Sequence, residues 1–180
     1  MTNKKNNLSE ISAEVFKHLS EIDISRLVTK KGNLKYLSWS RAWMLIQRHY
    51  PGTTREFTEF PSPVDTSLKL GALIYPGGTA EVECKVQLLH PSGVTLSATE
   101  RLPIMDYKME AISQPGTRAI QDSRKRCLVK TLAMGFGLGL NLWSGDVVSM
   151  IFDEEPEVDG AERESNIAEL VKSCSLTKKQ

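Results

Sequence analysis

The residues that come nearest to a catalytic set are Asp65, Glu83 and Lys85. Asp65 followed by Glu83-Cys84-Lys85 loosely matches the Asp…Glu-x-Lys arrangement of metal-dependent nucleases, where two acids hold a divalent ion and the lysine orients water. Strand alternation puts Glu83 and Lys85 on one face. Against this, acid-x-Lys triplets arise by chance at this charge density, and Asp65 lies in a Pro-rich loop. A divalent-metal nuclease therefore stands as the alternative reading. Cys84, Cys127 and Cys174 are far apart and fit no metal spacing, and the histidines are scattered, so no Ser/His/Asp or Cys/His set is expected. No resident metal or cofactor is expected either.

A second kind of chemistry is cationic. From Thr117 a helix is expected in which Arg118, Arg124, Lys125, Arg126 and Lys130 stand against one acid, Asp122. On a 3.6-residue wheel Ile120, Cys127, Thr131 and Met134 cluster on one side. Arg118, Lys125, Arg126 and Lys130 spread over the opposite arc. Arg124 falls within the apolar arc, which calls for a partner such as a sheet carboxylate. Like charges on one helix face repel, and phosphates lying across from them would relieve that repulsion. Asp122, one turn before Lys125 and Arg126, compensates part of the charge. The Gly135-Phe136-Gly137-Leu138-Gly139 run follows a helix rather than preceding one, so it is no dinucleotide fingerprint. Gly135 or Gly137 suits a C-cap, and the others suit close backbone approach.

The charge of the whole chain has the same bias. It has 180 residues, 40% of them hydrophobic, which is enough for one sizeable core with a tail to spare. The net charge is only +1, yet residues 1–152 carry 19 Lys/Arg and 14 Asp/Glu, a net +5, and residues 153–180 carry 4 and 8, a net −4. A basic body suits an anionic partner, and an acidic tail suits regulation or a protein contact. The N-terminus lacks the apolar segment of a leader, and no apolar run approaches the roughly 18 residues of a span, so no membrane partner is expected. An odd cysteine count without a framework points to a reducing cytoplasm.

The elements that would position these residues read as follows. Ser9–Glu21 is an amphipathic helix with Ile11, Val15 and Leu19 inward. Lys30-Lys31-Gly32-Asn33 is a turn with a positive edge. Ser38 caps a helix whose Trp39, Trp43, Ile46 and Tyr50 form one stripe, with the tryptophans expected in the core. Arg41 and Arg48 share a face away from it, and Pro51-Gly52 ends the helix. Residues 54–103 read as an antiparallel meander with strands near Arg55–Phe60, Leu68–Tyr75, 81–88 and 94–101. Its cleanest alternation sets Val82, Cys84, Val86 and Leu88 against Glu81, Glu83, Lys85 and Gln87. One sheet face is thus apolar and must be covered by the Trp39 helix and the helix from Thr117. Ile104–Gly116 is a connector with a single turn near Tyr107–Ala111. From Asp153 the chain is acidic and read as disordered, with a short docking helix around Ile167, Leu170 and Val171.

Three segments together resemble a known family: Tyr36-Leu37-Ser38-Trp39-Ser40-Arg41-Ala42-Trp43, Leu102-Pro103-Ile104-Met105-Asp106-Tyr107, and Arg126-Cys127-Leu128-Val129-Lys130 leading to Gly137-Leu138-Gly139-Leu140 and Trp143-Ser144-Gly145. They are similar to phage-encoded single-strand annealing proteins of the Sak type, in the superfamily of the eukaryotic Rad-fifty-two recombination mediator. The resemblance covers roughly residues 9–150. It implies a β-meander packed on a long helix, assembly into rings or helical filaments, and a basic groove that anneals complementary DNA strands without a nucleotide cofactor. It places Arg41 at a groove-lining position. It matches Asp122-Ser123-Arg124-Lys125-Arg126 to an Asp-x-x-Lys-Arg pattern on the long helix. The relative carries a further arginine where this chain has Val129, next to Lys130.

The expectation is therefore an α+β protein: an antiparallel β-meander packed against a long basic helix and a shorter aromatic-rich helix. Residues 1–152 form the DNA-binding domain and 153–180 the acidic tail. Arg41, Lys125, Arg126 and Lys130 lead the expected phosphate contacts, followed by Arg48, Arg101, Arg118 and Arg124. The expected partners are single-stranded DNA, further copies of the chain in a ring or filament, and a single-strand-binding protein on the tail. If the chain is phage-encoded, its place is the bacterial host's cytoplasm. It is expected not to be an enzyme. A third reading is an interaction module whose basic helix binds an acidic protein.

Overall fold

A computed structural model describes residues 8–31 and 34–144. Helix α1 (Leu8–Ser20) buries Ile11, Val15 and Leu19, as the sequence pattern requires. A 3₁₀ turn (Ser25–Leu27) leads into a hairpin of β1 (Val28–Lys31) and β2 (Leu34–Leu37), which pairs Val28 with Leu37 and Lys31 with Leu34. The sequence suggests only a turn over residues 30–33; Lys30 and Lys31 belong to β1, residues 32 and 33 lie outside the described residues, and the strands are too short to show a period. Helix α2 (Trp39–His49) begins where Ser38 Oγ accepts the Arg41 amide at 3.3 Å, the expected cap. Its buried residues are Ala42, Leu45 and Ile46, while Trp39 and Trp43 are half-buried at the rim of the core. The expectation that the tryptophans are core is corrected to that extent.

The main sheet is antiparallel, but its order departs from a simple meander. Strand β3 (Thr54–Phe57), β4 (Phe60–Pro61), β5 (Lys69–Leu70) and β6 (Leu73–Ile74) are short pieces. The long strand β7 (Ala80–Leu89) takes β3 and β6 along one edge and β8 (Thr95–Pro103) along the other. Strands β4 and β5 pair only with each other. The single strand expected over Leu68–Tyr75 is split between β5 and β6 at Gly71, whose carbonyl accepts a hydrogen bond from Arg124 Nε at 3.1 Å. Alternation along β7 holds throughout, with Ala80, Val82, Cys84, Val86 and Leu88 buried.

Helix α3 (Thr117–Phe136) lies along that buried face, against β7 and β8. Its contact ridge runs through Cys127, Thr131 and Gly135. Cys127 Sγ donates to the Glu100 carbonyl at 3.2 Å, and Thr131 Oγ1 lies 2.9 Å from the Cys127 carbonyl and 3.3 Å from that of Cys84. A Cβ on Gly135 would collide with the Ala98 side chain, so glycine permits the close approach. Met134 sits beside this ridge and is exposed, which corrects its place on the apolar wheel. From Leu128 to Phe136 the helix is buried on almost every side, because α1 and α2 also pack on it. Gly137 ends it in the left-handed region (φ 86) with its amide on the Ala133 carbonyl at 2.9 Å, the αL form of helix cap, and the Leu138 amide reaches back to the Leu132 carbonyl at 3.2 Å. Helix α4 (Asn141–Ser144) follows. The acidic stretch from Asp153, its expected docking helix and Cys174 lie outside the described residues.

The three histidines, scattered in sequence, converge in space. His18 of α1 places Nδ1 2.9 Å from the Tyr50 hydroxyl, and its ring meets that of His49 edge-on at 5.0 Å. His90, in the β7–β8 turn, lies 6.3 Å from the Tyr50 ring and 3.7 Å from Glu14. This cluster ties α1 and the end of α2 to the hairpin turn. Burial, and then the positive character of His18 and Arg48, hold the His49 imidazole below its ordinary value of 6.5. The unfolded chain therefore takes up the His49 proton more readily than the folded one. His49 thus contributes stability above about pH 6.5 that is lost as pH falls toward its folded value. Thermal melting followed by circular dichroism between about pH 5 and 8 should show the melting temperature dropping on the acid side. His49→Gln should flatten the part of that drop just below the histidine range.

Candidate nucleic-acid interface

Basic and aromatic side chains from three elements meet where α2, β3 and the first half of α3 come together. The alternation of β3 sends Thr54 and Glu56 to the outer sheet face, with Arg55 and Phe57 toward the helices, since Arg55 pairs with Val86 and Phe57 with Cys84. The Arg55 guanidinium lies 4.7 Å from the Trp43 ring centre and 5.7 Å from that of Trp39. Lys125 Nζ of α3 approaches the Trp39 ring to 5.9 Å. Arg124 lies 5.4 Å from the Phe57 ring. Cations held over aromatic faces keep their charge while their motion is restricted. Arg55 remains exposed to solvent, so the patch presents a fixed positive charge beside half-exposed indoles.

The cations foreseen from the sequence divide by what they touch. Lys125 lies 3.6 Å from Asp122, and Arg118 lies 3.8 Å from the same carboxylate. Among the described residues Arg126 and Arg48 have no ion pair. Arg41 directs Nη1 to the Leu27 carbonyl at 2.6 Å, fastening α2 to the turn before β1. Lys130 is held by Glu100 at 3.0 Å and donates to the Arg101 carbonyl at 2.9 Å. Arg101 is held by Glu83 at 2.7 Å and Glu81 at 3.0 Å on the outer face of the sheet. Arg124 is turned to the Gly71 carbonyl instead of the expected carboxylate. Of the predicted helix cations the fold thus brings Lys125 to Trp39, and Arg124 to Phe57 while it is bonded to Gly71. Arg55 was missed. Its signal was the Arg55-x-Phe57 spacing, which reads only once the strand's inner face is known.

The sequence model of the Sak Single Strand Annealing Protein family matches residues 14–174. This chain belongs to the Sak single-strand annealing protein family. No curated protein matches it. The family match runs through the acidic stretch, well past residue 150, where the resemblance read from the three segments ends.

In this Sak family member the Asp65, Glu83 and Lys85 constellation is given other partners. Glu83 accepts from the Thr58 hydroxyl at 2.6 Å and from Arg101, and these contacts hold its carboxyl below the usual range. Asp65 caps its own loop through the Ser67 amide and hydroxyl at 2.9 and 2.7 Å. Among the described residues no group of three or more His, Cys, Asp or Glu is placed to hold a metal ion. Burial pushes the Cys84 thiol up to about 11 and that of Cys127 to about 12, so neither is a thiolate at neutral pH. No described helix is long and apolar enough to cross a membrane.

The different settings of the arginines have a measurable consequence. Arg124→Ala removes a charge-assisted bond to Gly71 and a ring contact, and should lower the urea-unfolding free energy by about 1–3 kcal/mol. Arg118→Ala, at a side chain 96% exposed, should leave it unchanged.

Proposed function

We propose that this chain binds single-stranded DNA along the Trp39–Trp43–Arg55–Lys125 patch and anneals complementary strands in phage homologous recombination. The observation that carries the reading is the convergence of cations from β3 and α3 on the tryptophans of α2, in a member of a single-strand annealing family. Annealing requires a strand held by its phosphates with bases left free to pair, so its contacts are cationic and indifferent to sequence. No bond is made or broken, and no catalytic group is needed.

Lys125, Arg126 and Arg55 are the leading phosphate contacts, with Arg48 of α2 as a weaker one. Arg41, Lys130, Arg101 and Arg124 have protein partners and take a structural part first, and Arg118 stands at the exposed start of α3. Such a handful of cations holds a strand weakly. Repetition in a ring or helical filament of identical subunits gives a continuous track, in which each further contact is made at high effective concentration. Strand β8 pairs with β7 alone among the described strands, and its outer edge offers one route to that assembly. Residues 1–152 are the DNA-binding body in this reading, and the acidic 153–180 stretch docks a single-strand-binding protein.

The test is removal of charge at two sites. Lys125→Ala combined with Arg126→Ala should abolish annealing of complementary oligonucleotides and reduce the salt slope of single-strand binding by about 1.4. Arg55→Ala should weaken binding and reduce the slope by about 0.7. A double variant that remains folded and anneals at the normal rate refutes the assignment.

A further inference from the structure

The segment between β8 and α3 contains a feature that neither the core nor the cationic patch uses. After Pro103 the chain forms a small hairpin in which Met105 bridges Ala111 and the Ile112 amide donates to the Ile104 carbonyl at 2.9 Å. Its tip is tightly built. The Asp106 carboxylate accepts the amides of Lys108 at 2.8 Å and Glu110 at 3.0 Å, and the Asp106 amide donates to the Glu110 carbonyl at 2.9 Å. Met109 stands in the left-handed region (φ 66), where glycine or asparagine is the ordinary choice in such a loop. The result is a rigid turn that holds Tyr107 almost wholly in water, 89% exposed, with Met109 56% exposed beside it. Lys108 Nζ lies 5.7 Å from the Tyr107 ring centre.

Ordering a loop around an exposed aromatic ring has no return in the isolated subunit, and strain of this kind points to use. The size of the exposed apolar surface narrows the ligand. One ring and one thioether fall far short of the roughly 800 Å² per partner of a stable protein interface. They match the face of a single nucleobase, which stacks on an aromatic ring regardless of its identity. The adjacent lysine supplies a cation for the phosphate of the stacked nucleotide. The turn's carboxylate, Asp106, is already spent on backbone amides.

We infer that Tyr107 is a nucleobase-stacking contact for single-stranded DNA, with Lys108 on the neighbouring phosphate. This rests on the single-strand-binding reading above and adds to it a contact that recognises bases rather than charge.

The experiment compares an oligothymidylate with an abasic oligomer carrying the same number of phosphates, at fixed salt, on the full-length chain. The wild type should prefer the oligothymidylate, and Tyr107→Ala should lose that preference. Its affinity for oligothymidylate should fall about 5- to 140-fold, which is 1–3 kcal/mol at 1.4 kcal/mol per tenfold. Its affinity for the abasic oligomer and its salt slope should be unchanged. Tyr107→Trp should retain the preference. A Tyr107→Ala variant that keeps the wild-type preference overturns the inference. So does one that changes only the size of the assembly, which would make the tip a subunit contact. The function reading fails separately, if the wild type binds neither oligomer or if the Lys125 and Arg126 variant binds both normally.

Discussion

Close approach of α3 to the β7–β8 pair is the constraint on which the rest of the structure depends. A helix and a sheet pack at this distance only where small groups face each other, and here Gly135 stands over Ala98 while Cys127 and Thr131 rest on strand carbonyls. That contact fixes the roll of the helix. With the ridge settled, Arg124 is directed to Gly71, Lys130 to Glu100 and Lys125 to Trp39 of α2. The C-terminal half is then enclosed by α1 and α2 as well, so a solvent-facing basic arc survives only in the first half.

The distribution of acids turns a basic helix into a localised site. Glu100 points inward from β8 and takes Lys130, while Glu81 and Glu83 point outward and take Arg101. Each of those cations keeps its charge but is neutralised within hydrogen-bonding distance, which weakens its field at any distant phosphate. Arg55 is set against aromatic rings, which hold it in place without cancelling its charge, while Lys125 is shared between the Trp39 ring and the Asp122 carboxylate 3.6 Å away. Geometry rather than the count of cations therefore decides which of them stand beside Trp39 and Trp43.

Much of the architecture is legible in the sequence. The helices at Leu8–Ser20, Trp39–His49 and Thr117–Phe136, the Ser38 cap, a glycine end to the long helix at 135 or 137 and the long β7–β8 pair follow from period, capping and turn residues, all of which are local. The β1–β2 hairpin is not, and neither is the end-to-end placement of β3 and β6 on β7. Two- and four-residue strands hold too few side chains for alternation to register, and pairing partners are a long-range matter.

The sequence alone determined which elements form, that one sheet face must be covered, and that the long helix is basic, because hydrophobic period and charge are properties of consecutive residues. Family membership was also written there, in three separated segments. Tertiary structure decided which cations remain available. Lys130 and Arg101 meet acids from other strands, Arg41 and Arg124 meet distant carbonyls, and Arg55 is brought beneath two tryptophans from another helix. It likewise gathered the three histidines around Tyr50 and left Tyr107 standing in water. These are contacts between residues far apart in the chain. A pairwise interaction at a few ångströms depends on where the backbone carries both partners, which no local pattern encodes.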